Sequence, residues 1–526
     1  MSFVTIRLEV ATECWKGEGR YDWSYAEQML ALCERQGGEA QWLIALELGT
    51  VPPWFAQAYP SEVHDVAGGA VLANVVSPLW KDKVCCLAGG FAAWLMSTRW
   101  AKRVAGLALT AGGPDGWRIH DAEETVRGRY HPAYTREFQA WLRRTYGDEA
   151  ALRAAWNDPC AAFDSASCPT VPMRKRSHAD GPFSLRDPAA ERPAIDYYRF
   201  LNTTLADHFV AVCRAAKETA GDHILCGGFG NALWSASGVY SYAQECGHAL
   251  VHRVRESPWV DFLSISDFRF PISDCSPQAH AEVAFVCSGD TPMFQAAMSE
   301  ELLRYELACH RPLLLGVAAE QWRLAGVPFD IWELHDLARP DFPGERYHLL
   351  VFVNCAYVSQ PAAAGIRRWQ NGDRVLCWTY APAVIWGPQS SSSSSLVLET
   401  SRRLATCGRL GAPWSLDPGP GAELIGMRLG WRRERRQIRV MVDASGYPLT
   451  EGGEALSFGT EGSVGPVFFA DDADACVFGR LRDGGEPAFA LRHHDGWRSI
   501  YLAMLNFGPQ LLRNLARFAG AGVRQG

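Results

Sequence analysis

The sequence predicts an α/β protein built from two successive units, each a parallel sheet with crossover helices. Three observations carry this. Short apolar runs alternate with longer amphipathic runs through residues 1–280. The alternation restarts at Ala281. Within the second unit, Gln389 and six consecutive Ser make a polar break over 389–395, expected as a flexible loop. Strand then helix, repeated, is the pattern of a parallel sheet, because parallel neighbours can be joined only by a long crossover.

In order along the first unit, VTIRLEV (4–10) is a strand and YAEQMLALCERQG (25–37) a helix ended by Gly37-Gly38. WLIALEL (42–48) is the next strand, stopped by Val51-Pro52-Pro53. VCCLAGGFAAWLMSTRW (84–100) is helical, and VAGLALTAGG (104–113) is a strand. A long helix covers 195–219, with apolar residues at helical spacing, and HILCGGFG (223–230) and VDFLSIS (260–266) are two further strands. In the second unit AEVAFVCSG is a strand, a helical stretch covers about 300–325, and FDIWEL (329–334) is again a strand. YHLLVFVNCAYV (347–358) is apolar on successive residues, as a strand covered on both faces must be, and DRVLCWTYAP (373–382) follows it after a helix. Beyond 421 strands alternate with Gly-rich turns, closing on a helix over 508–522.

The bulk properties narrow the function. With 526 residues the chain has room for two to four domains, and 48% hydrophobic against 21% charged content supports ordinary cores. A net charge of −7 with scattered Arg leaves no footprint for nucleic acid. The 16 Cys include no CxxC pair and no period, so they read as buried thiols of a reducing compartment. The N-terminus lacks the features of a signal peptide, and no apolar run is long enough to span a bilayer. A cytoplasmic protein without a membrane partner is the expectation. Trp is abundant at 20 residues, and it serves both as a platform for sugar faces and as core filler. Neither His493-His494, without partners at metal spacing, nor CGGFG (226–230), without GxGxxG spacing, argues for a metal or nucleotide, so no cofactor is expected. Cys355 lacks the flanking Gly of a nucleophile elbow and reads as a buried thiol.

The most distinctive stretch is YTREFQAWLRRTYGDEAALRAAWNDP (134–159): a helix, a Tyr-Gly-Asp break, a second short helix and a Trp-Asn-Asp-Pro stop. It resembles a segment of the family-42 β-galactosidase group of glycoside hydrolases, retaining enzymes on a (β/α)8 barrel. Other motifs resemble that group in the same order: CWKGEGRYDWSYAEQML (14–30), TVPPWFAQAYPSEV (50–63), VAGLALTAGGPDGW (104–117) and RDPAAERPAIDYYRFLN (186–202). YHLLVFVNCAYVSQ, RVLCWTYAPAVI and GEPAFALRHHDGWRSIYLAM (485–504) look like the amidotransferase-like domain that these enzymes use for trimerisation. The resemblance thus implies a TIM-type (β/α) barrel over 1–280, an open flavodoxin- or amidotransferase-like α/β domain over 281–526, a carbohydrate ligand and a homotrimer.

It also implies two catalytic carboxylates, a Glu acid/base after strand four and a Glu nucleophile after strand seven. Retaining glycosidases hold these groups about 5–5.5 Å apart. Where the relatives read Gly-Glu-Trp, this chain reads Gly112-Gly113-Pro114-Asp115-Gly116-Trp117. Trp117 matches, the Glu is replaced by Gly116, and Asp115 is the one carboxylate in the turn. Asp115 is the candidate displaced acid/base, although Pro-Asp-Gly is also an ordinary turn. No nucleophile is visible. VDFLSIS resembles the sixth strand, and the second unit begins about a dozen residues later, whereas one βαβ unit takes about 30. VTIRLEV resembles the second strand, so the first is missing too, and the expected barrel is incomplete.

Glu9, Glu47 and Asp267 at strand ends are candidate ligands for sugar hydroxyls, Glu13 is a further carboxylate near the first strand, and Trp15, Trp54 and Trp117 are candidate contacts to the sugar ring. Each carboxylate could equally be a salt-bridge or capping residue. Two functions follow: a glycoside hydrolase acting on β-linked sugars through Asp115, or a non-catalytic sugar-binding or assembly protein on the same scaffold. A truncated product of a once-active enzyme would also account for the missing strands.

Overall fold

The computed structural model describes residues 3–36, 40–65, 71–111, 117, 132–174, 185–228, 247–263, 281–294, 324–386, 415–443, 446–504 and 507–523. Asp115, Asp267, the helical stretch expected after about 300 and the Ser run fall outside them.

In the first unit β1 (Phe3–Leu8), β2 (Gln41–Glu47), β3 (Val104–Thr110) and β4 (Leu225–Gly227) form a parallel sheet in the order β1-β2-β3-β4. A parallel bridge from Gly227 to Phe262 extends it at the β4 edge. β2 and β3 are nearly continuous apolar runs because both faces are covered, whereas β1 alternates, with Ile6 and Leu8 buried and Thr5 and Arg7 exposed. The longer described helices between these strands are α1 (Ser24–Gln36), α2 (Pro78–Ser97), α3 (Pro132–Tyr146), α4 (Glu149–Trp156) and α5 (Arg192–Ala220).

Helix α2 starts earlier than its apolar run suggests. Ser77 caps it by accepting from the Trp80 N–H, and Pro78 occupies the first turn, where a missing N–H costs nothing. α2 packs along α5, with Gly89 facing the Ala215 carbonyl.

α5 also carries His208, which is buried and has its Nδ1 2.8 Å from the Val75 carbonyl oxygen. Burial lowers its pKa to about 4, against the opposing effect of that hydrogen bond. Between the ordinary imidazole pKa and about 4 the unfolded chain binds a proton that the folded chain does not. Stability due to this group is therefore complete above about pH 6.5 and declines as pH falls, by roughly 3 kcal/mol near pH 4. Denaturant unfolding at pH 7 and pH 4.5 should show His208→Gln less acid-sensitive than the parent chain. Equal slopes would mean that the imidazole is hydrated.

After helix α6 (Val251–Arg255) the second unit opens with β5 (Val283–Cys287). β6 (Phe329–Glu333), β7 (Leu349–Val353), helix α7 (Gln360–Arg368) and β8 (Arg374–Thr379) follow. The tail supplies β9 (Arg436–Val442), β10 (Phe458–Val464), β11 (Cys476–Leu481), β12 (Pro487–His494), β13 (Trp497–Leu502) and helix α8 (Pro509–Ala519). All nine strands join one sheet in the order β6-β5-β7-β8-β13-β12-β11-β9-β10.

The first five strands of that order are parallel and repeat the 2-1-3-4-5 arrangement of flavodoxin-like sheets. The remaining pairs are antiparallel. The sheet is therefore less uniformly parallel than its first strands suggest: the Gly-rich tail makes hairpins that extend the same sheet, with β13 inserted beside β8. β7 is interior and buried, as its unbroken apolar sequence requires.

The two units pack directly. The Arg186 N–H donates to the Phe294 carbonyl at 2.7 Å, and a Cβ on Gly289 would fall 2.1 Å from the Ala249 carbonyl oxygen. No helix among the described residues is long and apolar enough to cross a membrane.

Candidate functional site

The carboxyl ends of β1, β2 and β3 bring Glu9, Glu47 and Thr110 to one rim. The register pairs Leu8 with Leu46 and Glu47 with Thr110. Glu47 is buried, and its carboxylate accepts from the Gly49 N–H at 2.9 Å and the Thr110 hydroxyl at 3.1 Å. Burial raises its pKa above the usual carboxylate value, opposed by those two hydrogen bonds. Glu9 is half-buried. The Arg7 guanidinium spans the two carboxylates, 2.9 Å from Glu9 Oε1 and 3.8 Å from Glu47 Oε2. Glu13 ends the short helix Val10–Glu13 and is exposed.

The loops above this rim are aromatic. Trp15 lies in the strand Trp15–Gly17 and is buried edge-on to Trp54, with ring centroids 5.0 Å apart; Trp80 and Phe55 lie at 5.9 and 6.3 Å. Trp54 belongs to the helix Pro53–Ala58 and remains half-buried, so of the two it is the ring with surface left for a ligand. The indole N–H groups of Trp15 and Trp54 are buried and meet no acceptor among the described residues. Trp117 is buried. It bridges Ala111 in parallel, stands edge-on to Phe209 at 5.6 Å and accepts a hydrogen bond from the His248 ring at its carbonyl. The structure thus places Glu9, Glu47, Trp15 and Trp54 around the ends of adjacent strands and packs Trp117 against α5.

Residues 14–245 match the model of the Glyco_hydro_42 family, described as beta-galactosidase. The chain resembles the family-42 β-galactosidases. The fold agrees with solved members. The β-galactosidase of Bacillus circulans sp. alkalophilus superposes with a TM-score of 0.59 at 12% identity, over 99% of this chain and 85% of that one. The enzyme of the psychrophilic Marinomonas ef1 gives 0.59 at 12%, over 100% and 88%. That of the haloarchaeon Halorubrum lacusprofundi gives 0.58 at 15%, over 99% and 86%. At such identities the likeness speaks for the fold alone. No match is found among curated protein sequences.

The stretch most like the family, 134–159, is scaffold. Tyr146 ends α3, Gly147 takes a left-handed backbone (φ 77°), and Asp148 caps α4 by accepting from the Ala151 N–H at 2.8 Å. Asn157 closes α4 in the left-handed region, as Asn tolerates. Asp196 on α5, fully buried, ties the motif down. It accepts from the Tyr146 hydroxyl at 2.5 Å, the Trp156 indole at 2.9 Å and Arg192 Nε at 2.8 Å.

Sequence reasoning missed one chemically dense group. Among the described residues, His252, Glu333 and His335 form a cluster of potential metal ligands, and it lies where the second sheet meets α6. Glu333-Leu-His335 is a local signal, but its partner His252 comes from the other unit and nothing in the sequence joins them.

Proposed function

We propose that this chain is a non-catalytic relative of the family-42 β-galactosidases that holds a β-linked sugar at the carboxyl ends of β1–β3. One observation carries the loss of catalysis. Among the described residues the last parallel position of the first sheet is Phe262, and Val283 already belongs to the second sheet. Residues 263–282 cannot hold further strand–helix units, each of which takes about 30 residues. On this reading the strand to which the family resemblance assigns the nucleophile is missing. Asp115 is then the one carboxylate left as a candidate acid/base in the turn where the resemblance puts that Glu. Sugar binding is supported by the composition of the rim: a buried carboxylate beside the half-buried ring of Trp54. Such a mixture of apolar rings and a few fixed polar groups suits a sugar, which presents an apolar face and a ring of hydroxyls.

Calorimetric titration with methyl β-galactoside and lactose tests this reading. Trp54→Ala should weaken binding about tenfold or more, the scale of truncating one aromatic anchor. Glu47→Gln should weaken it as well. The proposal fails if the parent chain binds neither sugar, or if both variants bind as well as it does.

A further inference from the structure

The second sheet has its own candidate site. The chain starts that sheet at β5, moves outward to β6 on one side and then to β7 on the other. The crevice at the carboxyl ends of the strands, where the order reverses, is where open α/β sheets bind ligands. Glu333 ends β6, Asp290 follows β5, and Ser359 follows β7 and caps α7. His335 lies two residues beyond Glu333. His252 reaches the same point from α6 of the first unit.

Nδ1 of His335 lies 3.1 Å from both Glu333 oxygens, and Nδ1 of His252 lies 4.0 Å from Glu333 Oε1. The two imidazoles stack with centroids 4.0 Å apart and planes 20° apart, so one ring must turn for both to face a single ion. One ligand atom from each of the three residues falls within 4.8 Å of the others. His252 Nδ1 is buried and has no hydrogen-bond partner, which is costly for a polar atom in that position.

We propose that His252, Glu333 and His335 bind one divalent transition-metal ion of the zinc class. Two imidazoles and a carboxylate are the ligands such ions favour, and three protein ligands leave a fourth position for water or a small ligand. The far side of His335 is built as metal-bound histidines require: Nε2 lies 3.1 Å from the Ser359 hydroxyl and 3.5 Å from the Asp290 carboxylate. Charge agrees. Glu256, Asp290, Glu333 and Asp336 gather here around Arg255, with Arg339 at Asp336 and Arg199 facing Asp290. These are four carboxylates against three guanidiniums; an ion would meet the carboxylate in excess and give the orphaned His252 nitrogen a partner. Because His252 belongs to the first unit and the other two ligands to the second, the ion would also clamp the units together.

The test uses the intact chain, stripped with chelator and titrated with Co2+ while visible absorption is followed. The expected result is one equivalent of Co2+ with the intense bands of a four- or five-coordinate ion, together with a rise in melting temperature on adding Zn2+. His252→Gln should lower Co2+ affinity by at least about 10–100-fold, the cost of removing even a group that only supports a ligand. It should also abolish the Zn2+-dependent rise. If His252→Gln does not fold, Asp290→Asn decides in the same way, with a loss in that range expected. The proposal is overturned if the parent chain takes up no Co2+, or if a folded variant binds it with unchanged affinity and spectrum.

Discussion

The intact chain is expected to leave aryl β-galactosides unhydrolysed or nearly so. A retaining mechanism needs an acid and a nucleophile on opposed sides of the scissile bond, about 5–5.5 Å apart. The described carboxylates nearest that task, Glu9 and Glu47, sit on adjacent strands and share one guanidinium, that of Arg7. Glu47 also accepts from the Gly49 N–H and the Thr110 hydroxyl, which fixes the orientation of its carboxylate. Asp115 could supply a proton only, and acid assistance by itself typically contributes about 10²–10⁴-fold. Release of p-nitrophenol from its β-galactoside measures the outcome directly. Robust turnover that disappears in Asp115→Asn would overturn the non-catalytic reading and make Asp115 the acid/base. Robust turnover that survives the change would direct the search to Glu9, Glu47 and Asp267.

Asp196→Ala should destabilise the first unit by about 3–5 kcal/mol, the range for removing one partner of a buried ion pair. Arg192, buried beside it, would lose this carboxylate, and the Tyr146 hydroxyl and Trp156 indole would each lose this acceptor. Because these two side chains anchor α3 and α4 on α5, the loss should spread through the whole motif. Urea unfolding followed by tryptophan fluorescence reads the effect. Asp196→Asn, which keeps an acceptor oxygen but no charge, should fall between parent and alanine variant. A loss below about 1 kcal/mol, as for an exposed pair, would mean that the network is solvated.

Much of the architecture is legible in the residues themselves. β2, β3, β5, β7 and β8 are unbroken apolar runs because a parallel strand is covered on both faces, and that pattern needs no partner to be recognised. The Tyr-Gly-Asp break is equally local, since a left-handed Gly and a capping Asp act within one turn of chain. Helix α2 shows where local reading stops short: its buried face was visible, but its start was set by Ser77 and Pro78, ahead of the apolar run.

What depends on distant residues was decided only by the fold. That the tail's hairpins extend the second sheet follows from β13 pairing with β8, a contact no periodicity announces. Trp15 and Trp54 look alike in sequence, yet packing buries the first under Trp80 and Phe55 and leaves the second half-open. His252, Glu333 and His335 meet because α6 of one unit lands at the strand ends of the other. The sequence by itself determined the α/β class, since this rests on local covering patterns. The tertiary structure decided which carboxylates share a guanidinium and which histidines share a carboxylate, because burial and charge pairing belong to three-dimensional neighbours.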